Sequence, residues 1–448
     1  MDPTAGRSPP SKGADTGGSR PSGGTARRIY FNFGKLIGGK AGAGLVSLLY
    51  LVVAVRVLGP HDYGVLILVH TFAMTVGGIV EFPGWHAVVR YGAQAIESAD
   101  EHRLARLLRF AALVEGAGGL CAIVTAMVLG PLIGDRLGWS PTALAFALPY
   151  SFAVLASIRA TPAGYLQLCG RFDLLSAHVL ISPLVRLFGA GGIALFGGGL
   201  HAFLVVWLAA ALIEWASMWL IGILELRRQH PQARMIGSTR GVRSENDGIW
   251  RFMIGANTDA TFGDLAPRIA PLAVGWVMGP TAAALYAVAQ RATVVISQPA
   301  QLLGQAAYAE LAHLAAGGGG ASAIRRALFQ SIAVAVAISI PVLVIIGVAA
   351  HPLARLIGGA AFEQAGNVML LLAVARAILL VGPPASAALI ALGRPGLSAS
   401  VNLGTSLGLL PLLPPMMLLW GLNGAGGHAL LQAAVAAALL AWYASRDK

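Results

Sequence analysis

The chain has 448 residues, of which 56% are hydrophobic and only 11% charged, and its formal net charge is +12. Soluble domains carry about 25% charge, so this chain belongs in a bilayer rather than in several soluble domains. Such a positive charge would suggest nucleic acid in a soluble protein, but no recognition motif or soluble domain accompanies it.

Residues 1–28 are rich in Gly, Pro, Ser and Arg and lack an apolar stretch. They read as a disordered basic cytosolic tail, not a cleavable signal peptide, whose apolar region is missing. Beyond them, a bilayer core of about 30 Å asks for about 20 apolar residues per helix. That ruler gives twelve expected spans: 34–58, 63–83, 107–130, 142–165, 173–196, 201–225, 249–277, 282–304, 328–350, 364–392, 397–420 and 423–443. The polar stretch 226–248, with Arg227, Arg228, Arg234, Arg240 and Arg243, divides them. The expected organisation is a tail (1–28), a six-helix lobe (29–225), a cytosolic linker (226–248) and a second six-helix lobe (249–448). The fold class is an all-α membrane protein of about twelve transmembrane helices in two bundles.

Most Lys and Arg fall in the tail, the even-numbered loops and the C-terminus, whereas the odd-numbered loops hold only Arg56, Arg136 and Arg355. The positive-inside rule then puts both termini in the cytosol. Residues 94–109 and 305–327 read as amphipathic helices lying along the membrane surface. Pro83-Gly84 and Pro383-Pro384 are candidate hinges, with ordinary kinks as the competing reading. Trp85, Trp139, Trp250 and Trp420, near helix ends, read as belt anchors. Cys121 and Cys169 fall in apolar segments and form no disulfide or metal pattern.

The chain repeats itself. Val57-Leu58-Gly59-Pro60 returns as Val277-Met278-Gly279-Pro280, a shift of 220. The same shift carries Arg106 onto Arg326, and a shift of 222 to 223 carries Pro162 and Gly170-Arg171 onto Pro384 and Gly393-Arg394. Ordered anchors at a nearly constant offset mean two lobes of one plan, the build of a secondary transporter with its path between the lobes.

Arg56 to Pro60 followed by Tyr63-Gly64 closely resembles the first helix–loop junction of Wzx-type polysaccharide flippases, in the multidrug/oligosaccharidyl-lipid/polysaccharide exporter superfamily. Gly84, Arg90-Tyr91-Gly92-Ala93 and Leu392-Gly393-Arg394 are similar to later junctions of that family. The resemblance implies two six-helix bundles facing a central cavity. It implies a substrate built of an oligosaccharide repeat unit on undecaprenyl pyrophosphate, turned from the cytosolic to the periplasmic leaflet of the bacterial inner membrane. It also implies membrane lipids, a polysaccharide polymerase and chain-length machinery as partners; H⁺ or Na⁺ is the coupling ion that membrane carboxylates could take up.

No catalytic motif is visible. Gly34 to Lys40 has P-loop spacing, but Ala41 stands where a magnesium-binding Ser or Thr is needed and no strand precedes it. A membrane transporter, not an enzyme, is expected, with no cofactor, no metal and no nucleic-acid partner. The signal lies in ionisable residues within the spans, each costly unless it faces a cavity or a partner. Arg159, Arg186, Arg376, Arg268, Arg291, Arg56 and Lys40 are the candidate substrate-binding cations, with Lys35 beside them. Arginine holds phosphate oxygens through paired hydrogen bonds, and an excess of buried cations suits an anionic head group. Arg159, Arg186 and Arg376 have no obvious partner in the local sequence. Asp264 and Arg268, four apart, suit a helical ion pair, Lys35, Lys40 and Arg56 suit snorkelling to head groups, and Arg291 is not placed by the sequence. Glu115, Asp259 and Glu214 are the candidates for ion coupling, with pairing to one of the cations as the competing reading. The alternatives are a multidrug or metabolite exporter of the same fold and a peptidoglycan-precursor (lipid II) flippase. A membrane polymerase or glycosyltransferase would want a polar catalytic loop, and a scaffold would not want the buried charges.

Overall fold

The computed structural model describes residues 23–80, 84–294, 321–392 and 394–445, with side chains throughout these ranges except at 23–37, 255–266, 321–324, 335, 338, 342, 390, 391 and 395. The described chain is helical, without strands. In chain order the helices are α1 (Gly23–Val80), α2 (Trp85–Glu97), α3 (Glu101–Gly134), α4 (Pro141–Ala145), α5 (Ala147–Tyr150), α6 (Ala160–Leu168), α7 (Phe172–His178), α8 (Ile181–Phe196) and α9 (Leu200–Gln229). A short α10 (Val242–Glu245) precedes α11 (Ile249–Met278), α12 (280–294), α13 (Ala321–Gly358), α14 (Ala365–Leu379), α15 (Gly382–Ala391), α16 (Pro395–Gly408), α17 (Leu413–Trp420) and α18 (Leu422–Ser445). Among the described residues, eight helical stretches are long and apolar enough to cross a membrane, the first of them Gly38–Val80. The protein is an all-α membrane protein of two helical bundles. α1 begins at Gly23, inside the expected tail.

The repeat is visible in the backbone. Pro60 has no N–H, and the residue before a proline is pushed out of the helical region. Gly59 takes φ 71°, ψ 179° and splits α1 into two halves. Gly279, 220 residues on, takes φ 85°, ψ 176° between α11 and α12. At a shift of 223, Arg171 N–H donates to Leu166 C=O and Arg394 N–H to Leu389 C=O, both at 2.8 Å. Gly59, Gly138, Gly197, Gly279, Gly359 and Gly421 all have φ between 59° and 85°, and each lies in one of the odd-numbered connections. Only glycine enters that region cheaply, so every turn at this arginine-poor end pivots on one.

Packing differs between the two ends. At the arginine-poor end both bundles share one core, in which Tyr63, Leu66 and Trp139 are continuous with Ala283, Tyr286, Phe362 and Met417. The seam is close: a Cβ on Gly64 would lie 1.9 Å from the Pro280 carbonyl oxygen, and one on Gly138 2.7 Å from Pro280 Cδ. Arg136 stacks over Trp276 at 5.7 Å, and Arg56 Nη2 donates to Leu356 C=O at 2.6 Å. At the basic end the cores are smaller, and most stay within one bundle. Val88, Leu104, Leu108, Tyr165 and Leu226 form one in the first bundle, and Leu328, Ala385, Leu389 and Leu440 one in the second. A third joins α2 and α3 to the linker and the first turns of α11, through Tyr91, Leu107, Val242, Ile249 and Met253.

Two expectations are corrected. The span 142–165 is not one helix. It runs through α4, α5 and a 3₁₀ segment, Ser151–Ser157, breaks at Ile158-Arg159, and resumes as α6. A second departure concerns 94–109, which is not one surface helix. α2 ends at Glu97, and α3 starts at Glu101 with Asp100 capping it through Arg103 N–H at 2.8 Å. The 34 residues of α3 span about 51 Å, so its first turns project beyond an apolar core of about 30 Å. Its amphipathic stripe faces protein: Leu104, Leu107 and Leu108 are buried, while Arg103, Arg106 and Arg109 reach Asn246, Glu245 and Ser238 of the linker. Most of 305–327 lies outside the described residues.

Candidate functional site

Helix rise places the membrane charges by depth. Arg186 lies eleven residues before Gly197, Arg268 eleven before Gly279, Arg291 eleven after Pro280 and Arg376 eleven after the start of α14. At 1.5 Å per residue each sits about 16 Å from the arginine-poor end, near the middle of a core about 30 Å thick. Four helices from both bundles thus carry arginine to one level, the depth at which transporter sites lie.

Arg186 is the most enclosed of them, at 8% exposure. Its guanidinium stands over Trp207 at 5.4 Å and Tyr50 at 5.9 Å, and its Nη2 lies 3.1 Å from His70 Nε2. His70 Nδ1 is 3.0 Å from the Tyr150 hydroxyl. Tyr50 meets Trp207 edge-on at 5.5 Å, so the aromatic faces are fixed before any ligand arrives. Arg186 Nε is buried without a hydrogen-bond partner, and no described carboxylate pairs with the residue. A cation taken from water without a counter-ion is costly, and aromatic stacking of about 0.5–2 kcal/mol offsets only part of that.

The second bundle approaches the same aromatics. Arg291 of α12 is exposed to solvent, yet its charge acts on Tyr50, Tyr63 and His70, as does that of Arg186. Tyr50 therefore lies within the field of a cation from each bundle. Arg376 Nη2 donates to Gln290 C=O at 3.4 Å, one residue from Arg291. Under the 220-residue shift His70 falls on Gln290, the residue whose backbone carbonyl accepts from Arg376. Arg268 crosses the seam elsewhere: its Nη1 occupies the space a Cβ on Gly78 would need, only 1.6 Å away.

The remaining candidates separate from this level. Glu214 lies fifteen residues after Gly199 and Glu115 nineteen before Gly134, so both are about 22–28 Å from the arginine-poor end. Arg159 has a partner that local sequence did not reveal: Glu214, 55 residues on, at 2.8 Å. Glu115 is fully buried and accepts the N–H groups of Ala160 and Thr161, the latter at 2.8 Å. On the other side of the break Trp219 Nε1 donates to Ile158 C=O at 2.9 Å. A broken helix survives in a membrane only where its freed backbone groups find such partners, and a carboxylate also suits the positive end of α6. These residues hold the broken span together. Glu115→Ala would strand two N–H groups at a cost of about 2–6 kcal/mol. A fall of several degrees in the melting temperature of the detergent-purified protein is expected; an unchanged melting curve would deny the capping role.

Lys40 is exposed near the basic end, nineteen residues before Gly59, and Arg56 is spent on Leu356 at the opposite end. The side chains of Lys35, Asp259 and Asp264, and Glu81 altogether, lie outside the described residues. Sequence reasoning missed Tyr50, Tyr63, His70, Tyr150 and Trp207, which in one dimension look like ordinary apolar or belt residues. A usable signal existed: under the 220-residue repeat His70 falls on Gln290, the neighbour of Arg291. Both cysteines are free, and among the described residues no group of three or more His, Cys, Asp or Glu could hold a metal ion.

A family profile described as polysaccharide biosynthesis protein matches residues 53–366. The chain is 26% identical over 295 residues to the inner membrane protein YghQ of Escherichia coli K12, spanning 65% of this chain and 82% of that one. Its fold is similar to an inward-facing multidrug-resistance MATE family transporter of the MOP superfamily, with TM-score 0.69 and 14% identity over 89% of this chain and 93% of that one. It is similar also to the lipid II flippase MurJ in an inward closed conformation, with TM-score 0.67 and 12% identity over 92% and 87%. The profile spans well over half the chain, across the seam and including Arg186, Arg268 and Arg291, and so the protein belongs to the polysaccharide biosynthesis protein family.

Proposed function

We propose that the protein is a flippase for an oligosaccharide carried on a prenyl pyrophosphate, an undecaprenyl-pyrophosphate-linked repeat unit. It turns the head group from the cytosolic to the periplasmic leaflet of the inner membrane, with the basic end and both termini in the cytosol. The observation that carries this reading is Arg186: enclosed, at mid-depth, with one donor unpaired and no described carboxylate beside it. Arg291 and Arg376 at the same level extend the site into the second bundle, and Arg268 reaches the seam at Gly78, nearer the basic end. A pyrophosphate supplies the missing negative charge and two or more acceptor oxygens. Only a small core around Tyr91, Leu107 and Met253 bridges the bundles at the basic end, against an extended shared core at the other, and this suits entry from the cytosolic side. An apolar groove of about 530 Å³ beside α8, lined by Ile181, Leu184, Val185, Phe188 and Val206, gives the prenyl chain a lipid-facing track on the helix that carries Arg186 inward. A positively charged site is poorly matched to cationic drugs.

The test is made in a deletion strain, by measuring surface polysaccharide and the leaflet accessibility of prenyl-linked repeat units. Lost polymer with repeat units held on the cytosolic side supports the reading. Normal polymer overturns it, and a defect in cell-wall precursors instead would redirect it to lipid II.

A further inference from the structure

His70 touches the anion site but carries no fixed charge, and its hydrogen bonds settle which proton it holds. A guanidinium has five donors and no acceptor. Contact between Arg186 Nη2 and His70 Nε2 at 3.1 Å therefore requires a lone pair on Nε2. The ring is neutral, its proton is on Nδ1, and that N–H donates to the Tyr150 oxygen at 3.0 Å. Arg186 and Nε2–H cannot occupy this place together.

The groups that face His70 come from three other elements: Arg186 from α8, Tyr150 from α5, and the charge of Arg291 from α12. Cations and a phenol surround it, and no described carboxylate is among them. While the site is empty, a second proton on His70 would lie against the guanidinium and be repelled. When an anion draws the guanidinium away, Nε2 loses its donor and gains a negative neighbour. Both changes favour the protonated ring.

We infer that His70 and Arg186 form a proton-linked anion latch: a phosphate pulls Arg186 Nη2 off His70, and the freed Nε2 takes a proton from solution. The imidazolium then donates its new N–H to the phosphate, so head group and proton are bound together. The occupied site carries one negative charge less than the head group brings. Linkage is reciprocal, so acid tightens anion binding by the factor with which the anion tightens proton binding. The inference rests on the anion site of the proposed function and adds its proton.

The test uses the full-length protein in detergent, with farnesyl pyrophosphate as probe and titration calorimetry in two buffers of different ionisation enthalpy. His70→Gln offers Arg186 an amide oxygen and Tyr150 an amide N–H but cannot protonate. The diphosphate itself titrates near pH 6 and contributes equally to both proteins. Wild type should take up close to one proton more per ligand than His70→Gln. It should also gain about a hundredfold more affinity than His70→Gln between pH 8 and pH 6. Equal proton uptake and parallel pH profiles would overturn the latch and leave the anion site standing. No binding to wild type at any pH would remove the anion site and the latch with it. Nitrogen-15 histidine spectra of the wild type give a second readout without a variant: one neutral Nδ1–H ring should become doubly protonated on adding farnesyl pyrophosphate at pH 7. A ring that stays neutral overturns the latch.

Discussion

Arg186→Ala is expected to abolish polysaccharide export while the protein remains folded and inserted. Removing one partner of a buried ion pair usually strands the other charge at a large cost. Among the described residues Arg186 has no carboxylate to strand: its neighbours are the rings of Tyr50 and Trp207 and a neutral His70. The fold loses stacking and some packing, about 1–3 kcal/mol, within the reach of a well-packed bundle. The substrate loses charge-assisted hydrogen bonds worth about 1.5–3 kcal/mol each. Two such bonds correspond to an affinity loss on the order of a hundredfold or more. Arg186→Lys keeps the charge but not the planar fork and should retain a fraction of the export. The measurement is surface polysaccharide in a complemented deletion strain, with membrane-fraction protein as control. Wild-type export by Arg186→Ala would remove this residue from the substrate path and with it the observation that carries the proposed function.

How much of this was legible in one dimension depends on what each feature rests on. The glycine turns were legible because Gly-Pro dictates backbone geometry locally, and Gly59 and Gly279 adopt nearly one conformation. The fold class was legible because bilayer thickness fixes helix length. The broken fourth span was not. Its apolar content passes as a helix, and what permits the break is Glu115, 45 residues upstream, together with Trp219, 61 residues downstream. Arg159 shows no partner in its local sequence for the same reason, since Glu214 meets it only after α9 folds back. The buried arginines could be named as a set, but their common depth emerges only when each is counted from its own turn. His70 and the tyrosines stayed hidden because a neutral side chain leaves no mark in a search for charge.

The second large effect is expected at the seam, from Gly64→Leu. A Cβ at this position would sit 1.9 Å from the Pro280 carbonyl oxygen, and that oxygen belongs to backbone held between Gly279 and the first turn of α12. A flexible side chain could step aside, but a helix terminus cannot move without parting the bundles. Leu68 and Gly275, one helical turn deeper, would part with it, since they too are in close contact. Overpacking of a close interface costs about 1–3 kcal/mol or more. Two conformations of a transporter differ by only a few kcal/mol, so a penalty of about 3 kcal/mol on one of them changes their ratio by about 150-fold. The closed arrangement of the arginine-poor end should then be nearly depopulated, and export should fall at least tenfold because the cycle needs that closure. Leu68→Cys, in a background with Cys121 and Cys169 replaced by Ser, reports the change. Leu68 is fully buried in the closed seam and should resist a membrane-impermeant thiol reagent applied from the periplasmic side of right-side-out vesicles. Adding Gly64→Leu should make it react. Normal export together with an unreactive Leu68→Cys would mean that the contact between Gly64 and Pro280 is packing within a static interface and not the closure of a gate.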